Sequence, residues 1–153
     1  MHRYAIRVRY GDTDQMGFAY YAHYLRWFEI GRAEMLRALG WSYRAVEEAG
    51  IQLPVLEARC RYFKPARYDD ELWIETGVLE VRRASVRFGY RIVRVSGEEL
   101  LATGETEHCF LGPEGKPARP PERMADLLAQ APRAIAEPSK PASRISAPGA
   151  PTG

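Results

Sequence analysis

Residues 18–40 of the chain, FAYYAHYLRWFEIGRAEMLRALG, decide the fold. Apolar side chains recur there at intervals of three to four residues, which predicts an α-helix over residues 21–39. They are Phe18, Tyr21, Leu25, Phe28, Met35, Leu36 and Leu39. Gly40 is well placed to end the helix, because glycine readily adopts the left-handed conformation that closes many helices. Apolar or small residues also lie off this stripe, so we expect a sheet to enclose the helix.

Strand patterns lie on both sides of this helix. Residues 4–10 alternate, with Ile6 and Val8 on one face and arginines on the other, as in a half-buried strand. Further strands are predicted at residues 55–63, 71–81, 85–95 and 99–111. The alternation slips at residues 78–79 and 92–93, which predicts a bulge in each of those two strands.

Short connections and two short helices complete the predicted order of elements. The connections at residues 65–70, 82–84 and 96–98 are short enough for hairpins between antiparallel neighbours. Ser42 can cap a short helix that Gly50 can end, and residues 121–129 are predicted to form a last helix. The predicted fold class is therefore α+β, an antiparallel sheet around one long helix.

Length and composition set the class of protein. The chain has 153 residues, which suits one domain, and 46% of them are apolar, as a packed core requires. Its two cysteines are too few for a disulfide scaffold or a cysteine-based zinc site. The sequence has no stretch typical of a membrane span or a signal peptide, so we expect a cytoplasmic protein.

The net charge of +2 resides in the last 22 residues. That segment, residues 132–153, holds three bases and one acid, which leaves 19 of each in residues 1–131. Fifteen of its residues are Pro, Ala, Ser or Gly, a composition that buries too little apolar surface to offset the entropy of ordering. We therefore expect a domain over residues 1–131, followed by a disordered tail.

The densest polar cluster comes directly before the long helix, in the sequence YGDTDQMG at residues 10–17. One interpretation is turn chemistry, because Asp and Thr side chains bond nearby amides and Gly17 allows a positive φ. The other interpretation is functional. A carboxylate near the exposed amides of a helix N-terminus can act as base or nucleophile while those amides stabilise an oxyanion.

An arginine-rich stretch at residues 82–94 is the second notable feature. It contains five arginines and no acid. If the alternation holds, Arg87 and Arg91 lie on the face opposite Val86 and Phe88, as a solvated face of a strand would. Arginines interleaved with aromatic residues also occur in RNA-binding proteins, but the neutral body of the chain argues against a nucleic-acid partner.

Two separate blocks of residues together resemble a known family. The first is YGDTD at residues 10–14 followed by Gly17, Tyr24 and Glu29, and the second is RYFKPARYDDEL at residues 61–72. The sequence is similar to hotdog-fold acyl-CoA thioesterases, in particular to the group of the 4-hydroxybenzoyl-CoA thioesterase and the Tol–Pal-associated thioesterases. The resemblance covers residues 8–110 and implies a five-stranded antiparallel sheet wrapped around the long helix.

The resemblance implies hydrolysis of an acyl-CoA to a free acid and CoA. Asp14 matches the family's catalytic carboxylate, Gly17 its turn glycine, and the backbone amide near Tyr21 its oxyanion position. Many relatives have a histidine where this chain has Tyr21. The residues that match substrate-binding positions are Tyr24, Glu29, Arg83 and Ser85, the last two beside the CoA phosphates. Glu29 has an equal alternative interpretation, an ion pair with Arg26 or Arg32 on the same helix.

The resemblance also implies a homotetramer, a dimer of dimers in which sheets join edge to edge and the site forms between subunits. No metal or redox cofactor is implied, since CoA is part of the substrate. A non-catalytic module that binds acyl-CoA or acyl-carrier protein is the alternative on the same fold. A hydratase would need an acid–base histidine, and the position of His23 does not match one.

Overall fold

Five strands and three helices make up the described part of the chain. A computed structural model describes residues 1–136, so most of the predicted disordered tail lies outside the described residues. The elements are β1 (His2–Arg7), α1 (His23–Ala38), α2 (Tyr43–Glu48), β2 (Val55–Tyr62), β3 (Glu71–Val81), β4 (Ser85–Arg94), β5 (Glu99–Cys109) and α3 (Glu122–Gln130). The strands form one antiparallel sheet in the order β1-β3-β4-β5-β2, which confirms the predicted fold class.

Both predicted bulges are present, and one of them holds the chain that follows α3. The register shifts between Val78 and Glu80, and again between Ile92 and Val93. At the first bulge the Val78 amide donates to the carbonyl of Pro132 (2.8 Å), and the Ala134 amide donates to the carbonyl of Val78 (3.0 Å). Sheet pairing therefore extends a few residues beyond the predicted domain boundary at residue 131.

The connection at residues 65–70 does not close a hairpin, contrary to the prediction. The strand order places β2 beside β5 at one edge, whereas β3 lies between β1 and β4. The connection instead crosses the end of the sheet, where Asp69 donates to Val8 and Val8 donates to Asp70, both at 2.9 Å between backbone atoms. The other two predicted connections do join neighbouring strands.

Helix α1 packs against one face of the sheet. Gly31 makes this approach close, because a Cβ at that position would collide with the side chains of Thr76 and Ile74 on β3. The predicted enclosure is partial within one chain, since Leu25, Arg26 and Glu29 are exposed on the opposite side of α1. Five strands curve around only one side of a helix that also carries charged residues.

Helix α2 begins as the sequence predicts. The Ser42 side chain accepts a hydrogen bond from the Ala45 amide (3.2 Å), which satisfies one of the amides left free at the helix start. None of the helices within residues 1–136 combines the length and the apolar character needed to cross a membrane.

Candidate active site

The carboxylate of Asp14 is held by the turn that precedes α1. Its Oδ1 accepts hydrogen bonds from the amides of Met16 (2.9 Å) and Phe18 (3.3 Å), while the Asp14 amide donates to the Phe18 carbonyl (2.8 Å). Gly17 occupies the turn with a φ of +79°, as the turn prediction requires. No hydrogen bond to Oδ2 is found within residues 1–136, and Asp14 is half-buried. The turn thus fixes one carboxylate oxygen and leaves the other able to react.

Asp12 has the structural role that the turn chemistry predicts. Its carboxylate accepts from the Arg9 amide (2.9 Å), and its carbonyl accepts from the Tyr20 amide (2.7 Å). Thr13 donates through its hydroxyl to the Tyr10 carbonyl (2.7 Å). These bonds hold the backbone on both sides of Asp14, so the position of its carboxylate is fixed.

Two backbone N–H groups, those of Tyr21 and Ala22, have no backbone acceptor within the described residues. The turn that follows is already bonded, since the amide of His23 donates to the Tyr20 carbonyl (2.9 Å) and that of Tyr24 to the Tyr21 carbonyl (3.4 Å). Ala22 is the N-cap of α1, so both free N–H groups belong to the residues that lead into the helix. The start of α1 therefore presents two adjacent donors, aided by the helix dipole, three residues after the Asp14–Phe18 pair.

The connection at residues 65–70 braces this site. The Ala19 amide donates to the Ala66 carbonyl (2.8 Å), and the Ala66 amide donates to the hydroxyl of Tyr24 (3.1 Å). Arg94 holds the same connection by donating to the Pro65 carbonyl (2.8 Å) and to Asp70 (3.0 Å). The turn before α1 is thus tied to the end of the sheet rather than left as a free loop.

Two predicted substrate-binding residues lie on α1 in different surroundings. Tyr24 is only 2% exposed, and its hydroxyl already bonds to Ala66, so within this chain it braces the site instead of facing a ligand. Glu29 is exposed on the second turn of the helix. Within residues 1–136 it forms no ion pair, so the predicted pairing with Arg26 or Arg32 is wrong. A role for Glu29 in binding substrate stays a prediction.

The other two, Arg83 and Ser85, lie at the opposite end of the sheet from Asp14. Ser85 begins β4 and faces Cys109 across the sheet, whereas the connection beside the Asp14 turn is held by Arg94 at the far end of the same strand. Nine steps of about 3.3 Å along a strand separate those ends by roughly 30 Å. One chain therefore does not bring Arg83 and Ser85 together with Asp14.

Acidic residues offset the arginine-rich stretch. Arg87 binds Glu105 and approaches Glu80 (3.6 Å), and Arg82 donates to Glu80 (3.0 Å). The guanidinium of Arg82 lowers the pKa of the Glu80 carboxyl. The predicted alternation is confirmed, because Val86 and Phe88 are buried while Arg87 and Arg91 stay partly exposed. Arg82 and Arg87 therefore form a charge-paired surface with Glu80 and Glu105 at this end of the sheet.

Tyr62 contacts the site, although its role is not predicted from the sequence. Its hydroxyl donates to the carbonyl of Tyr21 at 2.8 Å, across 41 positions of sequence. Tyr62 lies within the second block of resemblance, at residues 61–72, and this is the signal that could have drawn attention to it.

Two further observations concern the His, Cys, Asp and Glu side chains of residues 1–136. Within residues 1–136 no three His, Cys, Asp or Glu side chains lie close enough together to hold a metal ion. His108 is fully buried and its neighbour Cys109 is half-buried, as expected for adjacent residues of a strand, whose side chains point to opposite faces of the sheet.

Known proteins are similar to this chain in sequence. Residues 8–128 match the thioesterase-like superfamily. A putative acyl-CoA thioesterase, YneP, of Bacillus subtilis is 34% identical over 104 residues, 68% of this chain and 75% of that protein. The acyl-CoA thioester hydrolase YbgC of Escherichia coli is 38% identical over 100 residues, 65% of this chain and 75% of that protein.

A solved structure agrees with these sequence matches. The DHNA-CoA thioesterase of Staphylococcus aureus superposes with a TM-score of 0.78 at 30% identity, covering 84% of this chain and 88% of that one. The predicted resemblance and enzyme class are confirmed. The chain belongs to the thioesterase-like superfamily of thioester hydrolases, and its antiparallel sheet around α1 is the hotdog fold.

Proposed function

We propose that this protein hydrolyses an acyl-CoA thioester to a free carboxylic acid and CoA, with Asp14 as the reacting carboxylate. The relatives named above support the reaction class. One observation carries the assignment to this site, namely a fixed carboxylate with one unoccupied oxygen, on the turn that leads to the two free amides of α1. Both groups needed for acyl transfer thus lie on consecutive parts of the chain.

Asp14 can act by two routes. As a general base, it takes a proton from the water that attacks the thioester carbonyl. As a nucleophile, Oδ2 attacks that carbonyl and the CoA thiolate leaves, giving an acyl–aspartyl anhydride that water then hydrolyses. Repeated turnover in H₂¹⁸O, followed by mass spectrometry of the peptide containing Asp14, detects the anhydride route with water attacking the aspartyl carbon, because label then enters Asp14. Label in the product alone excludes that route and is given both by the general base and by attack of water at the acyl carbon of the anhydride.

The N–H groups of Tyr21 and Ala22 stabilise the oxyanion that forms on the thioester oxygen in either route. They are adjacent, lack acceptors within residues 1–136, and lie at the positive end of a 16-residue helix. In other enzymes, removal of one donor of this kind lowers kcat by about 10²–10³-fold. A thiolate is a good leaving group, so these groups suffice without a metal or redox cofactor, and CoA enters only as part of the substrate.

We also propose that a second copy of the chain completes the site. The outer edge of β2 has no partner strand within residues 1–136, and its Val55 and Leu56 are 52% and 60% exposed. Such an edge favours pairing with another strand. Two-fold pairing of β2 with its copy runs antiparallel, so the Tyr62 end of one strand approaches the Val55 end of the other.

This pairing accounts for the separation of the predicted site residues. Val55 faces His108 on β5, which faces Val86 next to Ser85, so the Val55 end of β2 is also the Arg83 and Ser85 end of the sheet. In a pair of chains, the phosphates of CoA would meet these residues on one protomer while its thioester meets Asp14 on the other. Assembly of two such pairs into a tetramer stays a prediction.

The substitution Asp14→Asn tests the proposal. An amide keeps the acceptor that bonds to Met16 and Phe18 but is a poor base and nucleophile, so we expect kcat to fall about 10²–10⁴-fold while the fold is retained. The measurement is thiol release from a panel of acyl-CoAs. Asp69→Asn is the matched control, because Asp69 lies in an exposed turn with a φ of +67° that asparagine adopts readily.

The outcomes of this experiment are distinct. Equal turnover by Asp14→Asn and the unchanged protein would contradict the assigned mechanism. Binding of acyl-CoA with no thiol release from any member of the panel would support the non-catalytic module instead. Loss of turnover in Asp14→Asn alone, with Asp69→Asn unaffected, supports the proposal.

A further inference from the structure

The two free N–H groups of α1 belong to two consecutive peptide units. Each unit has a carbonyl at its other end, so whatever holds the carbonyl also fixes the direction of the N–H. The Tyr20 carbonyl shares its plane with the Tyr21 N–H and accepts from the His23 amide at 2.9 Å. The first donor is therefore oriented by the backbone of α1 itself.

The second peptide unit is held mainly by a side chain. Its carbonyl, that of Tyr21, accepts from the Tyr24 amide at 3.4 Å, beyond the usual range for a strong N–H···O bond. The same carbonyl accepts from the hydroxyl of Tyr62 at 2.8 Å, an ordinary distance for an O–H donor. The direction of the Ala22 N–H thus depends on a residue at the end of β2.

The surroundings of Tyr62 keep its hydroxyl in place. Its ring packs edge-to-face on Tyr24, with centroids 4.9 Å apart. Tyr24 is itself buried and bonded to Ala66. Burial raises the pKa of Tyr62 above its ordinary value, with a smaller contribution from Cys60, so the hydroxyl remains a donor at neutral and mildly basic pH. Tyr62 is nevertheless 44% exposed, so part of its side chain is open to solvent.

We propose that Tyr62 is a positioning residue, whose hydroxyl fixes the Tyr21–Ala22 peptide so that the Ala22 N–H can stabilise the oxyanion. This inference rests on the proposed function, because it assigns a task to the amides that the reaction uses. It adds a residue from β2, the strand at the free edge of the sheet, to a site otherwise built from the turn before α1. The hydroxyl makes no covalent contribution and donates no proton to the substrate.

The substitution Tyr62→Phe removes only this hydroxyl and keeps the ring that packs on Tyr24. We expect kcat to fall about tenfold to 100-fold, because one of two oxyanion donors loses its orientation, while KM changes less than about twofold. Tyr68→Phe is the matched control, since Tyr68 is exposed and its hydroxyl forms no hydrogen bond found within residues 1–136. Equal melting temperatures for the two variants exclude a general loss of fold.

A second measurement follows the peptide without turnover. The ¹⁵N chemical shift of the Ala22 amide reports on the hydrogen bond to the Tyr21 carbonyl, and we expect Tyr62→Phe to shift it while Tyr68→Phe does not. An unchanged kcat, a rise in KM alone or an unshifted Ala22 resonance overturns the role of Tyr62. If Tyr62→Phe retains full turnover while Asp14→Asn loses it, the positioning role fails and the proposed function stands. If the unchanged protein releases no thiol, the proposed function fails.

Discussion

Acidification should destabilise this protein through one buried histidine. His108 on β5 is fully buried, with its Nδ1 3.1 Å from the Leu53 carbonyl and its Nε2 2.8 Å from the Thr106 hydroxyl. Because a carbonyl can only accept, Nδ1 carries the proton and Nε2 accepts from Thr106. Thr106 in turn accepts from Tyr90 (2.6 Å), which accepts from Arg32 (3.1 Å). All four side chains are therefore satisfied with a neutral imidazole.

The size of the effect follows from the pKa of His108. Burial, with a smaller contribution from the charge of Arg32, lowers it from 6.5 to about 4. In the unfolded chain the imidazole of His108 therefore binds a proton below pH 6.5, whereas in the folded chain it does so only at about pH 4. Stability that is fully present above pH 6.5 is lost as the pH falls through that window. At 1.36 kcal/mol per pKa unit the loss is about 3 kcal/mol.

Urea unfolding at fixed protein concentration, at pH 7.5, 6, 5 and 4, measures this loss. His108→Gln removes the titration but keeps a donor toward Leu53 and an acceptor toward Thr106. We expect the free energy of unfolding of the unchanged protein to fall by about 3 kcal/mol more than that of the variant between pH 7.5 and 4. His23→Gln, at a histidine that is not fully buried, is the control. Parallel pH dependence in the unchanged protein and His108→Gln would refute the reasoning.

Two further substitutions test the packing of the sheet and its free edge. A Cβ at position 104 would collide with the ring of Phe28, so Gly104→Ala should lower the free energy of unfolding by about 1–3 kcal/mol, measured by urea titration. Gly112→Ala, where the new Cβ would make only ordinary contact, should change it little. Leu56→Lys should weaken association of chains through β2, reducing both the particle mass by light scattering and kcat/KM, whereas Val81→Lys should not.

The strands, helices and bulges could be predicted from the sequence because each leaves a local pattern. At residues 78–79 and 92–93 the sequence itself shows that the alternation of apolar and polar residues is interrupted, and the register shifts occur there. The order of the strands is not local. Residues 65–70 form a short connection, which favours a hairpin between β2 and β3. Strand β2 pairs with β5 instead, and contacts between residues distant in sequence determine this pairing.

The candidate site likewise has a part that could be predicted from local sequence and a part that could not. The turn around Asp14 could be predicted, since its hydrogen bonds span two to four residues. The bond from Tyr62 to Tyr21 could not, because in the sequence Tyr62 is one more residue of an alternating strand. Resemblance alone places Arg83 and Ser85 beside the CoA phosphates, and in the single chain they lie at the other end of the sheet from Asp14.

The starts of α1 and α2 differ in how their first backbone amides are bonded. Helix α2 follows the local rule, with Ser42 accepting from the Ala45 amide. Helix α1 departs from it, since alanine at the N-cap position offers no side-chain acceptor to the amides of Tyr24 and Leu25, at a cost of about 1 kcal/mol, and these amides bond to the carbonyls of Tyr21 (3.4 Å) and Ala22 (3.3 Å) instead. At the start of α1 this cost coincides with a neighbouring turn that fixes the Asp14 carboxylate and with Tyr62 holding the Tyr21 carbonyl. A capping side chain at Ala22 would compete with the Tyr21 carbonyl for the Tyr24 amide, so the stability of the helix start and the orientation of the Tyr21–Ala22 peptide are linked.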